Sequence, residues 1–191
     1  MTRLGRRPGT PETREHIISV ARSAFGARGY AATSLRSIAK EADVDPGLLV
    51  HYFGTKEGLF RAALEITIQP NELFRGLEGL GSQEAAEQII RRYLMMLART
   101  EARDAVMGLV RSAVSNDHAA DMLRELLLRG MITAIAPLIE KPDAPLRASL
   151  IVGQLMGIAM LKHVARAGVV VRASNEKLVH LVSPAIEQYL R

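Results

Sequence analysis

The chain has 191 residues, of which 48% are hydrophobic and 24% charged, proportions of a folded globular protein and enough chain to bury a core. It has no cysteine, which excludes disulfides, thiolate zinc sites and cysteine nucleophiles. The longest uncharged run, Ala148–Leu161, is 14 residues, short of the roughly 20 needed to span a bilayer. No apolar stretch follows the opening Met1-Thr-Arg-Leu-Gly-Arg-Arg-Pro8, so a secretory signal is not expected. The composition predicts a soluble cytoplasmic protein that does not engage membranes.

The net charge of +5 is unevenly placed. Residues 1–14 carry Arg3, Arg6, Arg7 and Arg14 against Glu12, while six basic and six acidic side chains balance over 15–68. An Arg, Gly and Pro-rich arm over 1–10 cannot bury apolar area, but it can lie along phosphates or in a minor groove. Phe25, Tyr30, Tyr52, Phe53 and Phe60 lie in the first 68 residues, whereas all seven internal methionines lie beyond residue 94. This segregation predicts two domains, 11–68 and 69–191, divided near Pro70–Ser82 where Gly76, Gly79 and Gly81 interrupt the pattern.

Thr10-Pro11-Glu12 opens a first helix, with Pro11 at the first helical position and Glu12 at the positive end of the dipole. Its inner stripe is Ile17, Ala21, Ala24 and Phe25, and Gly29 ends it. A second helix is expected after Thr33 as its cap, with Leu35, Ile38, Ala39 and Ala42 inward. Asp43-Val44-Asp45 makes a tight connector. Asp45-Pro46 then starts a short third helix, to about Tyr52, in which the Asp45 carboxylate accepts an amide hydrogen from Gly47 or Leu48. Leu49 and Phe53 face inward; Pro46, Gly47, Leu48, His51 and Tyr52 fall elsewhere. Gly54-Thr55 ends this helix and caps a fourth, with Leu59, Phe60, Ala63 and Leu64 apolar. Two short helices joined by about three residues, the second with an exposed first turn, have helix-turn-helix geometry.

These residues resemble the N-terminal domain of the TetR family of bacterial transcriptional regulators. The matching words are Phe25-Gly-Ala-Arg-Gly29-Tyr30, Thr33-Ser-Leu-Arg36-Ser-Ile38-Ala39-Lys-Glu-Ala42, Val44-Asp-Pro-Gly47-Leu-Leu49-Val-His51-Tyr52-Phe53 and Thr55-Lys56-Glu57-Gly-Leu59-Phe60, collinear over 11–64. The resemblance implies a homodimer on a palindromic double-stranded DNA operator, released when a small molecule binds the C-terminal domain. It implies phosphate contacts at Thr33 and Lys56, groove-facing positions at Arg36, Gly47, Leu48 and His51, and a backbone contact at Tyr52. Pro46 sits exposed at the same helix start, and Arg3, Arg6 and Arg7 of the arm are expected to join the DNA contact. Three positions depart from the family pattern: Asp45 replaces a frequent serine or threonine, Leu48 a small hydroxyl residue and Val50 a tyrosine. Leu48 offers only an apolar contact such as a thymine methyl.

Beyond residue 82 the periodicity is helical throughout. Helices are expected over Ser82–Thr100, capped by Ser82 and with Ile89, Tyr93, Met96 and Leu97 as a stripe, then about 103–115, from Asp117 to a stop at Pro137, about 146–167, and 174–189. The expected fold is all-α, with about nine helices: a three-helix DNA-binding domain carrying the helix-turn-helix, followed by a helical ligand-binding and dimerisation domain. Met95, Met96, Met107, Met122 and Met160 are polarisable and adaptable. With His163 as a polar handle they are candidates for a pocket holding a small apolar effector, against ordinary core filling. Gly153 and Gly157, four apart, and the stripe Leu178, Leu181, Val182, Ala185 and Tyr189 are the candidate dimer face.

The rival classes are a ligand-binding helical protein with a degenerate DNA-binding domain, and an all-α enzyme. No histidine has glutamate three residues before it, and His-Glu-x-x-His, Gly-x4-Gly-Lys and Gly-x-Ser-x-Gly do not occur. Di-iron, zinc-protease, phosphate-loop and nucleophile-elbow chemistry therefore have no carrier, and neither a metal nor a cofactor is expected.

Overall fold

A computed structural model describes residues 11–65, 69–114 and 116–191. Every regular element is helical among these residues. The chain forms two compact units, and the division is not a single cut: Asp104–Leu123 belongs with the N-terminal residues, while residues 69–103 belong with Arg124–Arg191.

The first unit contains α1 (Pro11–Arg28), α2 (Leu35–Glu41), α3 (Pro46–Phe53), α4 (Lys56–Glu65), most of α7 (Thr100–Ala113) and α8 (Asp117–Met122). The apolar stripe of α1 is buried as its spacing requires, with Ile17, Ile18, Ala21, Ala24 and Phe25 all at or below 2% exposure. These pack with Ile38, Leu49, Leu59 and Phe60, each also nearly inaccessible. Phe60 meets Phe25 edge-on at 4.6 Å and Tyr30 at 5.1 Å between ring centroids, spacings at which aromatic pairs add to simple area burial. Gly29 leaves α1 with φ 77°, in the region that only glycine enters at no steric cost.

The second unit is built on α6 (Ser82–Ala98), α9 (Gly130–Ile135), α10 (Ala144–Ala159) and α12 (Asn175–Leu190). The inner face of α6 is wide: Ala85, Ala86, Ile89, Ile90, Tyr93, Leu94, Met96 and Leu97 are all buried. It packs chiefly against α12, which turns Leu178, Val179, Ser183, Ile186 and Leu190 inward. Two short helices were not expected from the pattern, α5 (Pro70–Leu73) and α11 (Gly168–Arg172). Pro70 explains the first, because proline is preorganised for a helix start. The Arg92 guanidinium donates to the carbonyls of Leu73 and Arg75 beyond it.

Several expected boundaries shift. The cap of α6 is Gly81, so Ser82 lies inside the helix and its hydroxyl donates to Glu187 at 3.3 Å. Val114, inside the helix expected to about residue 115, is 89% exposed just past the end of α7. The helix after Asp117 passes through a π-helical stretch, Leu123–Arg129, before α9, and ends in a single 3-10 turn at Ala136–Leu138 around Pro137. The apolar rod is also longer than its uncharged run. Ala144–Val164 is 21 residues, with a stretch of 18 at mean hydropathy 1.5, long and apolar enough to cross a membrane by length and composition. The helix accommodates Arg147 and Lys162 near its ends, Arg147 paired with Asp143 and Lys162 bonded to Asn175. Its inner face, Ala148, Ile151, Val152, Leu155 and Ala159, is buried in the second unit.

Candidate nucleic-acid interface

The site is assembled from two caps and a turn. Ser34, and not the expected Thr33, caps α2: its hydroxyl accepts from the Ser37 amide at 3.1 Å while the Ser37 hydroxyl accepts from the Ser34 amide at 3.2 Å. This reciprocal box satisfies two otherwise orphaned donors. After α2 the chain turns through Asp43 at φ 51°, and the Val44 amide donates back to the Ala39 carbonyl at 3.0 Å. Asp45 then caps α3, its carboxylate accepting from the Gly47 amide at 2.7 Å. A Cβ on Gly47 would sit 2.9 Å from that same carboxylate oxygen, so the cap and the glycine go together.

Leu49 anchors α3 at 0% exposure, and Phe53 packs partly buried against Ile18, Ala62 and Ala63. The opposite side remains open. Pro46, Gly47 and His51 are exposed, as is Val50, while Leu48 and Tyr52 are half-buried. The His51 and Tyr52 rings lie 5.5 Å apart. This face offers one imidazole, a phenol, apolar edges and the amide end of a helix dipole, a set suited to base edges and backbone phosphates.

Arg36 is exposed on α2. Thr33 is not: it is 1% exposed, and its hydroxyl donates to the carbonyls of Gly29 at 2.8 Å and Ala24 at 3.3 Å. Its side chain closes the end of α1 and is not presented to a phosphate. Lys56, at the first turn of α4, sits with its ammonium 4.2 Å over the Tyr30 ring and 3.5 Å from the Ala31 carbonyl. Partial burial pulls this ammonium below the ordinary lysine value, with Glu57 opposing. The Tyr30 hydroxyl donates to Glu57 Oε1 at 2.5 Å, which holds the Glu57 carboxyl below its usual range, while burial pushes the Tyr30 phenol well up. Arg3, Arg6 and Arg7 lie outside the described residues. Arg14, counted only as charge in the sequence, lies 5.4 Å over the Phe53 ring; no local pattern connects residues 39 positions apart.

The other candidate residues divide by burial. Met95 is 62% exposed on the outer side of α6, so it lines no interior pocket. Met96, Met107 and Met122 are buried, and Met160 and His163 are half-buried. Met107 and Met122 belong to the first unit and the others to the second. A cleft of about 470 Å³ opens in the second unit between Leu77, Ala85, Pro137, Lys141 and Leu190, and none of these methionines lines it. Leu178 is buried on the inner face of α12, so the stripe once grouped with it is split. Leu181 and Ala185 face outward, Val182 and Tyr189 are half-buried, and Gly153 and Gly157 are exposed with open space where a Cβ would stand.

Helices paired across a tight turn, with an anchored second helix open on one side, define a helix-turn-helix protein. Residues 17–63 match the family model "Bacterial regulatory proteins, tetR family", and residues 83–190 match "Tetracyclin repressor-like, C-terminal domain". The chain therefore belongs to the TetR family of helix-turn-helix, DNA-binding transcriptional regulators. A TetR-family regulator from Streptomyces coelicolor A3 is 35% identical, with TM-score 0.76 over 98% of this chain and 99% of that one. Salmonella enterica GusR shares the fold at 22% identity, with TM-score 0.74 over 94% and 98% of the two chains. A helix-turn-helix-type transcriptional repressor of Mycobacterium tuberculosis is 37% identical over 52% of this chain and 50% of that protein. HbdR of an Aromatoleum strain is 38% identical over 36% and 31%. The matches thus span about a third to a half of the length of these curated relatives.

Proposed function

We propose that the protein is a cytoplasmic, homodimeric repressor that binds a palindromic operator and is released by a small apolar effector, with no metal or cofactor and no catalytic role. The arm over 1–10 and the reading domain over 11–68 hold DNA, and 69–191 carries effector binding and dimerisation. The observation that carries this reading is the open face of α3. Its first turn presents Pro46 and Gly47, and its second His51, to a major groove while Leu49 locks the helix from behind. Arg36, Leu48 and Tyr52 flank that face, Lys56 holds a phosphate as a point charge, and Arg3, Arg6 and Arg7 track the backbone or minor groove. Thr33 contributes by fixing the end of α1 through its hydroxyl, not by a phosphate contact.

Dimerisation is supported by an apolar seam on α10. Leu146, Leu150, Gly153 and Gly157 of α10, with Leu161 and Val164 of the π-helical stretch Met160–Val164 that continues it, are all exposed and recur at three- and four-residue spacing, a pattern that pairs helices. Leu181 at 61% exposure and Ala185 extend it on α12. In the dimer the two copies of α3 must stand about 34–36 Å apart, one turn of DNA. An effector that binds better to a dimer with another spacing weakens the operator complex by that difference in affinity alone. Tyr93 is the handle we assign to the effector site: it is 2% exposed, and its hydroxyl donates to a thioether, Met156 Sδ at 3.8 Å, a weak acceptor.

The test is retention of genomic fragments by the purified protein, followed by His51→Ala on the recovered operator. Loss of about 10- to 100-fold on operator with little change on random duplex is expected for a base-reading side chain. Equal loss on both removes His51 from base reading, and no retention of any duplex at low salt favours the ligand-binding alternative.

A further inference from the structure

The first unit contains a buried hydroxyl that DNA reading has not used. Ser112 on α7 is 6% exposed. Its Oγ accepts from the Tyr30 amide at 2.9 Å and donates to the Gly108 carbonyl at 2.9 Å. Tyr30 follows the left-handed exit of α1 at Gly29, so its amide has left the helical ladder and takes its acceptor from α7.

α7 and the end of α1 meet without slack. A Cβ on Gly108 would lie 3.0 Å from the Phe25 carbonyl oxygen, one on Gly26 would lie 3.1 Å from Asp104 Cβ, and one on Gly29 would lie 3.3 Å from Ser112 Oγ. Arg111 adds a bond to the Gly26 carbonyl at 3.3 Å. The position of α7 is therefore imposed on the 29–31 segment. That segment in turn supplies both contacts of the Lys56 ammonium, the Tyr30 ring at 4.2 Å and the Ala31 carbonyl at 3.5 Å. The lysine stem has four flexible torsions, so an ammonium without such a seat samples many positions.

We propose that Ser112 is a positioning residue for DNA binding: through the Tyr30 amide it fixes the ring and carbonyl that seat Lys56, so the placement of α7 sets the strength of a phosphate contact without any change in α3. This rests on the reading of Lys56 as a phosphate contact. It makes Ser112, which touches no DNA, a residue on which the electrostatic part of the grip depends.

The test is the salt dependence of binding to a random-sequence duplex, measured on the full chain for the wild type, Lys56→Gln, Ser112→Ala and the double variant. Each phosphate contact contributes about 0.9 to the slope of log K against log salt. Lys56→Gln is expected to lower the slope by about that amount. Ser112→Ala is expected to lower it by at least half as much, the double variant to fall no further than Lys56→Gln, and Ser112→Thr, which keeps the hydroxyl, to restore the slope. If Lys56→Gln lowers the slope and Ser112→Ala leaves it at the wild-type value, the relay is overturned. If Lys56→Gln itself leaves the slope unchanged, the phosphate assignment fails and the relay falls with it, a separately visible outcome. Should Ser112→Ala unfold, Ser112→Cys against Ser112→Thr decides the matter: a lower slope for the thiol upholds the relay, and equal slopes overturn it.

Discussion

The two compact units differ in how certain helical glycines and apolar side chains are placed. In the first unit a Cβ on Gly58 would collide with the Phe53 carbonyl oxygen, and one on Gly108 would sit 3.0 Å from that of Phe25. Buried Thr33 and Ser112 have each hydroxyl committed to backbone partners. In the second unit Gly153 and Gly157 face empty space, and Leu146, Leu150, Leu161 and Leu181 lie open along the outside. The first unit specifies one shape within the protomer, with close backbone contacts that admit no side chain. The second buries one face of its helices, Phe74 and Tyr93 included, and leaves an apolar surface on the other, the surface the proposed dimer would cover.

The sharpest break in this contrast comes from its glycines. Gly58→Ala must push the end of α3 away from α4, and a cost of about 1–3 kcal/mol is expected for such overpacking, read as a lower urea midpoint together with lost DNA binding. Gly153→Ala meets nothing within its own chain and adds a better helix former, so in a Leu181→Glu background that does not dimerise a change between neutral and a gain of about 1 kcal/mol is expected. Comparable losses at both positions would erase the distinction.

A second prediction concerns the unfinished surface. Leu181→Glu combined with Gly157→Leu leaves the protomer's helix content unchanged by circular dichroism. It yields monomers in sedimentation that lose operator affinity, because two half-sites can no longer be held together. A wild-type protein that sediments as a monomer refutes the seam directly.

The smallest expected effect lies inside the first unit. The hydrogen bond from Tyr30 depresses the Glu57 carboxyl below its ordinary 4.5. The associated stability is present above that pH and is lost as pH falls through the lowered value. Tyr30→Phe is expected to cost about 1–2 kcal/mol near neutrality, with the gap from wild type closing in acid. A gap that stays constant between neutral pH and pH 3 would show that the Glu57 carboxylate is not what the phenol stabilises.

Much of the reading helix was legible without coordinates. The Asp45-Pro46 start, the inward Leu49, the Gly29 stop and the Thr55 cap were all readable, since the Gly58 amide does donate to Thr55 Oγ at 3.1 Å. These features act within one or two turns, where a side chain can reach only its neighbours. Adjacent hydroxyls were harder to distinguish. Thr33 and Ser34 are both capping types, and only the packing of the α1 terminus decides that threonine turns inward and serine takes the cap. The α12 stripe was separable only in part, for a similar reason. Leu178 and Leu181 are three apart and equally apolar, and α6 takes one and leaves the other.

What local chemistry decided is the menu: all-helical elements, their starts and stops, the turn before α3, and the family to which the words belong. Caps, helix exits and three-to-four spacing are short-range, so twenty or so residues contain the information. What tertiary structure decided is which chemically equivalent residue faces which neighbour. It returned residues 104–123 to the reading unit, placed Arg14 over Phe53 and Lys56 over Tyr30, and gave Ser112 the Tyr30 amide across 82 positions of chain. Such pairings depend on where two backbones approach within a few ångströms, and no periodicity along one strand of sequence carries that distance.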